Sequence, residues 1–114
     1  MAIRPLGKTA ALSVGAPSHV AVQIGADVTD VCTFAAFLNT GTTIVSCQAS
    51  SLSIANAPAA VQPADGTPSA SNIILPASMI APIVFATPPC PFSLTAIGSA
   101  AGPSIIFVTP CQES

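Results

Sequence analysis

The sequence is poor in charge. Only 5% of its 114 residues are charged, whereas an ordinary soluble domain is about a quarter charged. So few charges cannot cover a globule, and the solvated surface must be built from Ser, Thr, Asn, Gln and Ala. Such a surface repels other copies weakly, so we expect the chain to associate or to dock on a larger body. The charged residues are Arg4, Lys8, Asp27, Asp30, Asp65 and Glu113.

Clustered cations are also missing. The formal net charge is −2 and the isoelectric point is near 4.7, which argues against nucleic acid because phosphate binding needs grouped Lys and Arg. Arg4 and Lys8 are the only cations, and both lie in the first eight residues. We interpret them as a solvated tail or as an arm that contacts an acidic patch on a neighbouring subunit.

Long hydrophobic runs are absent, although the mean hydropathy is +0.76. The most apolar stretch, 73–86, contains Pro76 and Pro82 and is shorter than the roughly 20 residues that a spanning helix needs. We therefore expect no membrane segment. The N-terminus has the basic start of a signal peptide, but Ser13 and Gly15 interrupt its apolar part, so we expect the chain to be made and kept without secretion.

No catalytic constellation is evident. His19 is the only histidine, and none of the serines has the flanking glycines of a nucleophile elbow. Asp27 and Asp30 form the one close carboxylate pair, in a stretch typical of a turn. No glycine cluster precedes a helix, as a phosphate loop would require. We predict no enzyme activity, no cofactor and no metal site.

Glycine and twelve prolines punctuate the chain about every ten residues, the spacing of an all-β domain with short strands. The stretch 19–25 alternates cleanly, with Val20, Val22 and Ile24 on one face. We predict an antiparallel β-sandwich of about seven strands over residues 18–114, preceded by an irregular N-terminal arm at 1–17. Its predicted core is Val20, Val22, Ile24, Phe34, Ile44, Phe85, Phe92, Leu94, Ile106 and Val108.

Further strands are predicted at 28–34, within 42–55, at 72–76 and at 79–86. Between them, 56–71 contains three prolines and Asp65-Gly66, and is predicted to be a long surface connection that could contact a partner. The segments 91–98 and 104–111 flank "SAAGP" and predict a terminal β-hairpin.

The stretch "FAAFLNTGTTIVSC", residues 34–47, has two interpretations. Thr29 or Asp30 could cap a helix that carries Phe34 and Leu38 at helical spacing and stops at Gly41. Alternatively, two strands meet at a tight corner. The β-branched residues in and before this stretch favour the corner.

The pattern Phe34-Ala-Ala-Phe37-Leu38-x-x-Gly41-x-Thr43-Ile44-x-Ser46 resembles a motif of small Ig-like β-sandwich proteins of tailed bacteriophages. The later stretch "PFSLTAIGSAAGPSIIFV" is similar to a second motif of that family, with Phe92 in its aromatic position. Thr33 and Thr42 stand where the family usually has aspartate.

The resemblance implies a non-enzymatic virion structural protein, made in the host cytoplasm. For a chain of this size, it implies a capsid decoration (cement) protein that binds the major capsid protein and copies of itself outside the head. The candidate contacts are Arg4, Lys8, Asp65 and Gly66. The rivals are a neck or tail attachment module and a surface Ig-like domain unrelated to phage.

Four cysteines complete the sequence-level candidates: Cys32, Cys47, Cys90 and Cys111. None forms a C-x-x-C pair, which argues against zinc. Cys32 and Cys47 lie equally far from the corner, and Cys90 and Cys111 equally far from the hairpin loop. If each pair faces across a hairpin, disulfides 32–47 and 90–111 follow; four buried thiols are the alternative for a chain that folds in a reducing cytoplasm.

Overall fold

The computed structural model describes residues 3–29, 32–64, 66, 68, 71–101 and 103–113. Across this part of the chain there are nine strands and no helix. The strands are β1 (Ile3–Pro5), β2 (Ala10–Val14), β3 (Val20–Ile24), β4 (Phe34–Asn39), β5 (Val45–Ser50), β6 (Ile73–Leu75), β7 (Ile83–Ala86), β8 (Phe92–Gly98) and β9 (Ser104–Glu113).

The strands form two antiparallel sheets. Sheet A has the order β1-β9-β4-β7, with β2 also paired to β9, and sheet B has the order β3-β8-β5-β6. Four strand pairs are nested one inside the other, as in one long hairpin folded over on itself. From the outermost to the innermost they are β2–β9, β3–β8, β4–β7 and β5–β6. The pairs β4–β9 and β5–β8 close that hairpin into two layers. This nested arrangement is a jelly roll.

The predicted class, an all-β antiparallel sandwich, is confirmed, and so is the corner between β4 and β5. Three details differ. There are nine strands in the described chain rather than about seven, and the order is not that of an Ig-like sandwich, in which hairpin neighbours share a sheet. The N-terminal segment, predicted to be irregular, contains β1 and β2, both paired with β9.

The terminal hairpin prediction was wrong. β8 lies in sheet B and β9 in sheet A, so the chain passes from one layer to the other after β8 instead of turning back within one sheet. Local sequence could not reveal this, because a short polar loop between two apolar strands serves a hairpin and a sheet crossover equally well. The predicted strand at 28–34 is also absent where the structure describes it, except for Phe34 at the start of β4.

The core lies between the two sheets and follows the alternation of the strands. β9 contributes Ile106 and Val108, β4 contributes Phe37, and β8 contributes Phe92 and Leu94, all almost fully buried. Phe37 meets Phe85 edge to face, with ring centroids 5.5 Å apart. Of the predicted core, Ile44 and Phe34 are wrong, because Ile44 stays 48% exposed at the end of the corner and Phe34 lies half-buried on the outer side of β4.

Truncation of Phe92 to Ala tests this core. The side chain is 1% exposed, so its removal leaves a cavity that the neighbouring aliphatic residues cannot fill. We expect the free energy of unfolding to fall by about 3–5 kcal/mol, measured by urea titration. A loss below about 1 kcal/mol would contradict the core assignment.

Candidate functional site

The corner between β4 and β5 is held at its centre by Asn39, which is fully buried. Its side-chain amide donates to the carbonyls of Thr43 and Pro76, at 2.9 and 3.1 Å. Its carbonyl oxygen accepts from the Gly41 N–H at 3.0 Å. One side chain therefore fixes the turn and ties it to the connection between β6 and β7.

The same corner packs against the start of β9. The Thr43 and Ser104 hydroxyls are 2.6 Å apart, and Thr40 donates from both its N–H and its hydroxyl to the Ile105 carbonyl. The backbone of Gly41 lies directly against Ser104, so that a Cβ at position 41 would come within 2.6 Å of the Ser104 Cα. The glycine in the sequence motif is thus required by close approach of two chain segments.

The cysteine pairing predicted from the sequence was wrong. The disulfide joins Cys32 to Cys90, whose Cα atoms are 5.4 Å apart, and Cys47 and Cys111 are free and buried. Equal spacing about a turn makes residues face each other only when the two strands share a sheet. Here β4 and β5 lie in different sheets, as do β8 and β9.

The Cys32–Cys90 disulfide links the segment before β4 to the segment before β8. The Cys90 N–H also donates to the Cys32 carbonyl at 2.9 Å. Gly25, at a φ of 81°, lies under this bridge, because a Cβ there would meet the Cys90 sulfur at 2.7 Å. Two long connections and the end of β3 are thereby fixed at one end of the sandwich.

The two free thiols resist ionisation. Burial raises the pKa of Cys47 from 9.0 to about 12. Burial also raises the pKa of Cys111, opposed by a hydrogen bond from the Ala36 backbone. A thiolate is the reactive form of cysteine, so neither side chain has the properties of a nucleophile.

The raised pKa of Cys47 predicts a loss of stability in alkali. The unfolded chain releases this proton near pH 9, whereas the folded chain holds it to about pH 12. Stability is therefore complete below pH 9 and falls as the pH rises between these values, by up to about 1.4 kcal/mol per unit. Urea titrations at pH 8, 9, 10 and 11 should show a shallower decline in Cys47→Ala, and equal slopes would contradict the burial of this thiol.

The outer face of sheet B is polar and covered. Segment 51–64 lies across it, and the Ser93 hydroxyl donates to the Leu52 carbonyl at 2.6 Å. Thr95 donates in the same way to the Pro58 carbonyl at 2.9 Å. Both hydroxyl residues are 2% exposed although they alternate away from the core, so their burial is due to this covering segment.

The outer face of sheet A is apolar and open. We call it the sheet A face, and it contains the outward side chains of β2, β4, β7 and β9. Val84 and Ile105 on it remain 40% and 46% exposed, and Phe107 is half-buried. Its residues are Ala11, Ser13, Phe34, Ala36, Leu38, Val84, Ala86, Ile105, Phe107 and Thr109.

Two of the contact residues predicted from sequence, Arg4 and Lys8, belong to segments that are hydrogen-bonded to the sandwich. Arg4, on β1, donates to the Gln112 side chain at 2.7 Å, and the Lys8 backbone N–H donates to the Asp27 carboxylate at 3.1 Å. Both are therefore docked beside the sandwich rather than on a free arm. Gly66 is exposed at a φ of 75°, and Asp65 lies outside the described residues.

Sequence reasoning missed the sheet A face. Its signal was present, because β9 carries apolar side chains at both alternating positions, with Ile105 and Phe107 outward and Ile106 and Val108 inward. A strand with one solvated face normally alternates apolar and polar residues. The absence of any charged residue from 66 to 112 pointed to the same uncharged surface.

No group of His, Cys, Asp or Glu side chains among the described residues could hold a metal ion. The same part of the chain contains no helix of the length and hydropathy needed to cross a membrane. Comparison with known proteins found no matching family model, no matching curated protein and no matching solved structure.

Proposed function

We propose that the chain is a non-enzymatic structural protein of a bacteriophage virion. In this proposal it is a decoration (cement) protein that binds the outside of the head and stabilises the shell. Its partners would be the major capsid protein and neighbouring copies of itself.

The contrast between the two outer faces carries the proposal. The chain covers its polar sheet B face with its own segment 51–64, held by Ser93 and Thr95, and leaves the apolar sheet A face exposed. An exposed and contiguous apolar face is a mark of a docking surface. A protein that spends its life bound to a shell has that face covered by its partner.

The chemistry of the sheet A face suits a cementing role. Its described side chains are aliphatic, aromatic or hydroxyl-bearing and carry no charge, so contact with a shell requires no charged group to lose its water. Repeated contacts across a lattice make a modest affinity at each contact sufficient.

The fold is compatible with this role by analogy. Jelly rolls are common among viral capsid proteins, but they also occur in lectins and cupins, and a fold alone does not define a function. The virion assignment comes from the resemblance of 34–46 and 91–108 to phage structural proteins, whose Ig-like strand order this chain does not share.

Rebinding to particles stripped of the chain tests the proposal. Ile105→Lys places a charge on the sheet A face, at the end where Ser13 lies opposite Ile105, and should weaken binding by about tenfold or more, since the charge would be buried without a partner. Ile54→Lys is the matched control, because Ile54 is also 46% exposed but lies in the segment over sheet B. Its binding should be unchanged.

Equal binding by the two variants would overturn the sheet A face as the contact.

The location of the bound protein tests the role itself. Binding over the whole head, with shells that resist heat better when it is present, supports cementing. Binding confined to the neck or tail would instead support the attachment module, which could use the surface connection predicted at 56–71.

A further inference from the structure

β7 is an edge strand with an unpaired side. Among the described strands it pairs only with β4, and Ile83 and Val84 are 42% and 40% exposed. Ile80, just before it, is fully exposed. An edge of this kind presents backbone donors and acceptors that another strand can use.

The backbone groups that face outward follow from one hydrogen bond. The Thr87 N–H donates to the Thr33 carbonyl at 2.8 Å, so 33 and 87 form a hydrogen-bonded pair. In an antiparallel ladder these pairs alternate with pairs whose N–H and C=O groups point away. With Phe34 opposite Ala86 and Ala36 opposite Val84, the free groups belong to Val84 and Ala86.

Two prolines then restrict how this edge can pair. Pro82 and Pro88 lie just beyond the two ends of β7, where continuing the same alternation gives outward-pointing positions on either side of Val84 and Ala86, and proline has no N–H to donate. Suppose a second β7 lies antiparallel to the first. Only the register that sets Val84 opposite Ala86 pairs the N–H and C=O of both residues in both copies. A register that sets Val84 opposite Val84 of the second copy, or Ala86 opposite Ala86, leaves carbonyl groups opposite a proline nitrogen.

We propose that β7 pairs with β7 of a second copy in this register, which joins the two A sheets into one continuous sheet around a twofold axis. The interface is isologous, so every contact occurs twice. The register also sets Ile83 of each copy opposite Thr87 of the other, with both side chains on the core side of the sheet.

A groove is available for that side chain. It has a volume of about 400 Å³ and lies at the open edge between the two sheets, with Ile73, Phe85 and Thr87 in its wall. Ile83 of the second copy would enter this groove.

The chemistry of the edge favours a second copy over a different partner. No residue from 66 to 112 is charged, so two copies meet without like charges, and no charge awaits a complementary one. The exposed aliphatic side chains lie on the strand that borders the groove, since Phe85 and Ala86 line it, so the two features complement each other across a twofold axis. This inference does not depend on the proposed function, since it concerns the isolated protein.

Disulfide cross-linking tests the register. The double variant Val84→Cys/Ala86→Cys should form a dimer with position 84 of one copy linked to position 86 of the other, identified by mass spectrometry of the linked peptides. Val84→Cys alone and Ala86→Cys alone are the matched controls and should cross-link much less. Efficient cross-linking of either single variant would overturn the register, and no cross-link in any variant would overturn the pairing.

Sedimentation of the purified protein tests the interface. We expect a concentration-dependent dimer that Val84→Lys weakens by about tenfold or more, because it brings like charges together near the axis. Ile105→Lys, on the same sheet but away from the edge, should dimerise normally, and both variants should melt near the unaltered temperature. A monomer at every concentration, or a dimer indifferent to Val84→Lys, would overturn the proposal.

Discussion

Reduction of the Cys32–Cys90 disulfide should lower the free energy of unfolding by about 4 kcal/mol. The bridge closes a loop with a sequence separation of 58 residues, and a cross-link of this span restricts the unfolded chain by about that amount. The loop contains β4 to β7, so its closure also constrains much of the nested hairpin. The measurement is a urea titration with and without dithiothreitol.

The double variant Cys32→Ser/Cys90→Ser provides the control. It should match the reduced protein in stability and should not respond to dithiothreitol. Cys47→Ala retains the bridge and should still respond. If dithiothreitol destabilises the double serine variant as much as the unaltered chain, the effect does not come from this disulfide.

Gly41→Ala should be among the most destabilising single-methyl substitutions in the chain. The new Cβ would overlap the Ser104 side chain and come within 2.6 Å of its Cα. Because backbone rather than a flexible side chain is in the way, the corner and β9 must move apart. We expect a loss of about 3 kcal/mol, together with disturbed hydrogen bonds between Thr43 and Ser104, visible as faster amide exchange at Thr43.

Gly66→Ala is the matched control for this prediction. Position 66 has a φ of 75° and nothing within 4 Å of an added Cβ, so it bears the cost of the backbone conformation alone, about 1 kcal/mol. Equal losses of stability at the two positions would leave no cost that could be assigned to contact between position 41 and Ser104. That result would contradict the close approach of the two segments.

Local patterns predicted the local structure well. Alternation located β3, proline and glycine located β6 to β8, and the β-branched residues after Gly41 favoured a corner over a helix. These features depend on a few neighbouring residues, whose side chains must alternate between core and solvent. The confirmed sandwich follows from them, because strands with one apolar face must stack in layers.

The arrangement of those strands was beyond the same reasoning. β9 could pair beside β8 in the same sheet or lie in the other sheet. Which of the two occurs depends on contacts between residues distant in sequence, such as Gly41 against Ser104. The disulfide prediction failed for this reason, since spacing about a turn is informative only within one sheet. β2 lies within the stretch predicted to be an irregular arm; its Leu12 and Val14 reach the core, and β9 supplies the pairing.

The sheet A face was the feature of the candidate site that sequence could have revealed. Phe34, Leu38, Ile105 and Phe107 were read as core or left unassigned because apolar residues are expected inside. Only the pairing of β4 with β9, which sets Leu38 opposite Phe107, shows that these side chains share one outer surface.

Copy number on purified virions tests the central claim most directly. Quantitative mass spectrometry of particles from cells that encode this chain would give its ratio to the major capsid protein. We predict a constant ratio with hundreds of copies per particle, lost together with the heat resistance of the shell when the chain is deleted. Absence from the particles, or a few copies with no change in shell stability, would contradict a cementing role.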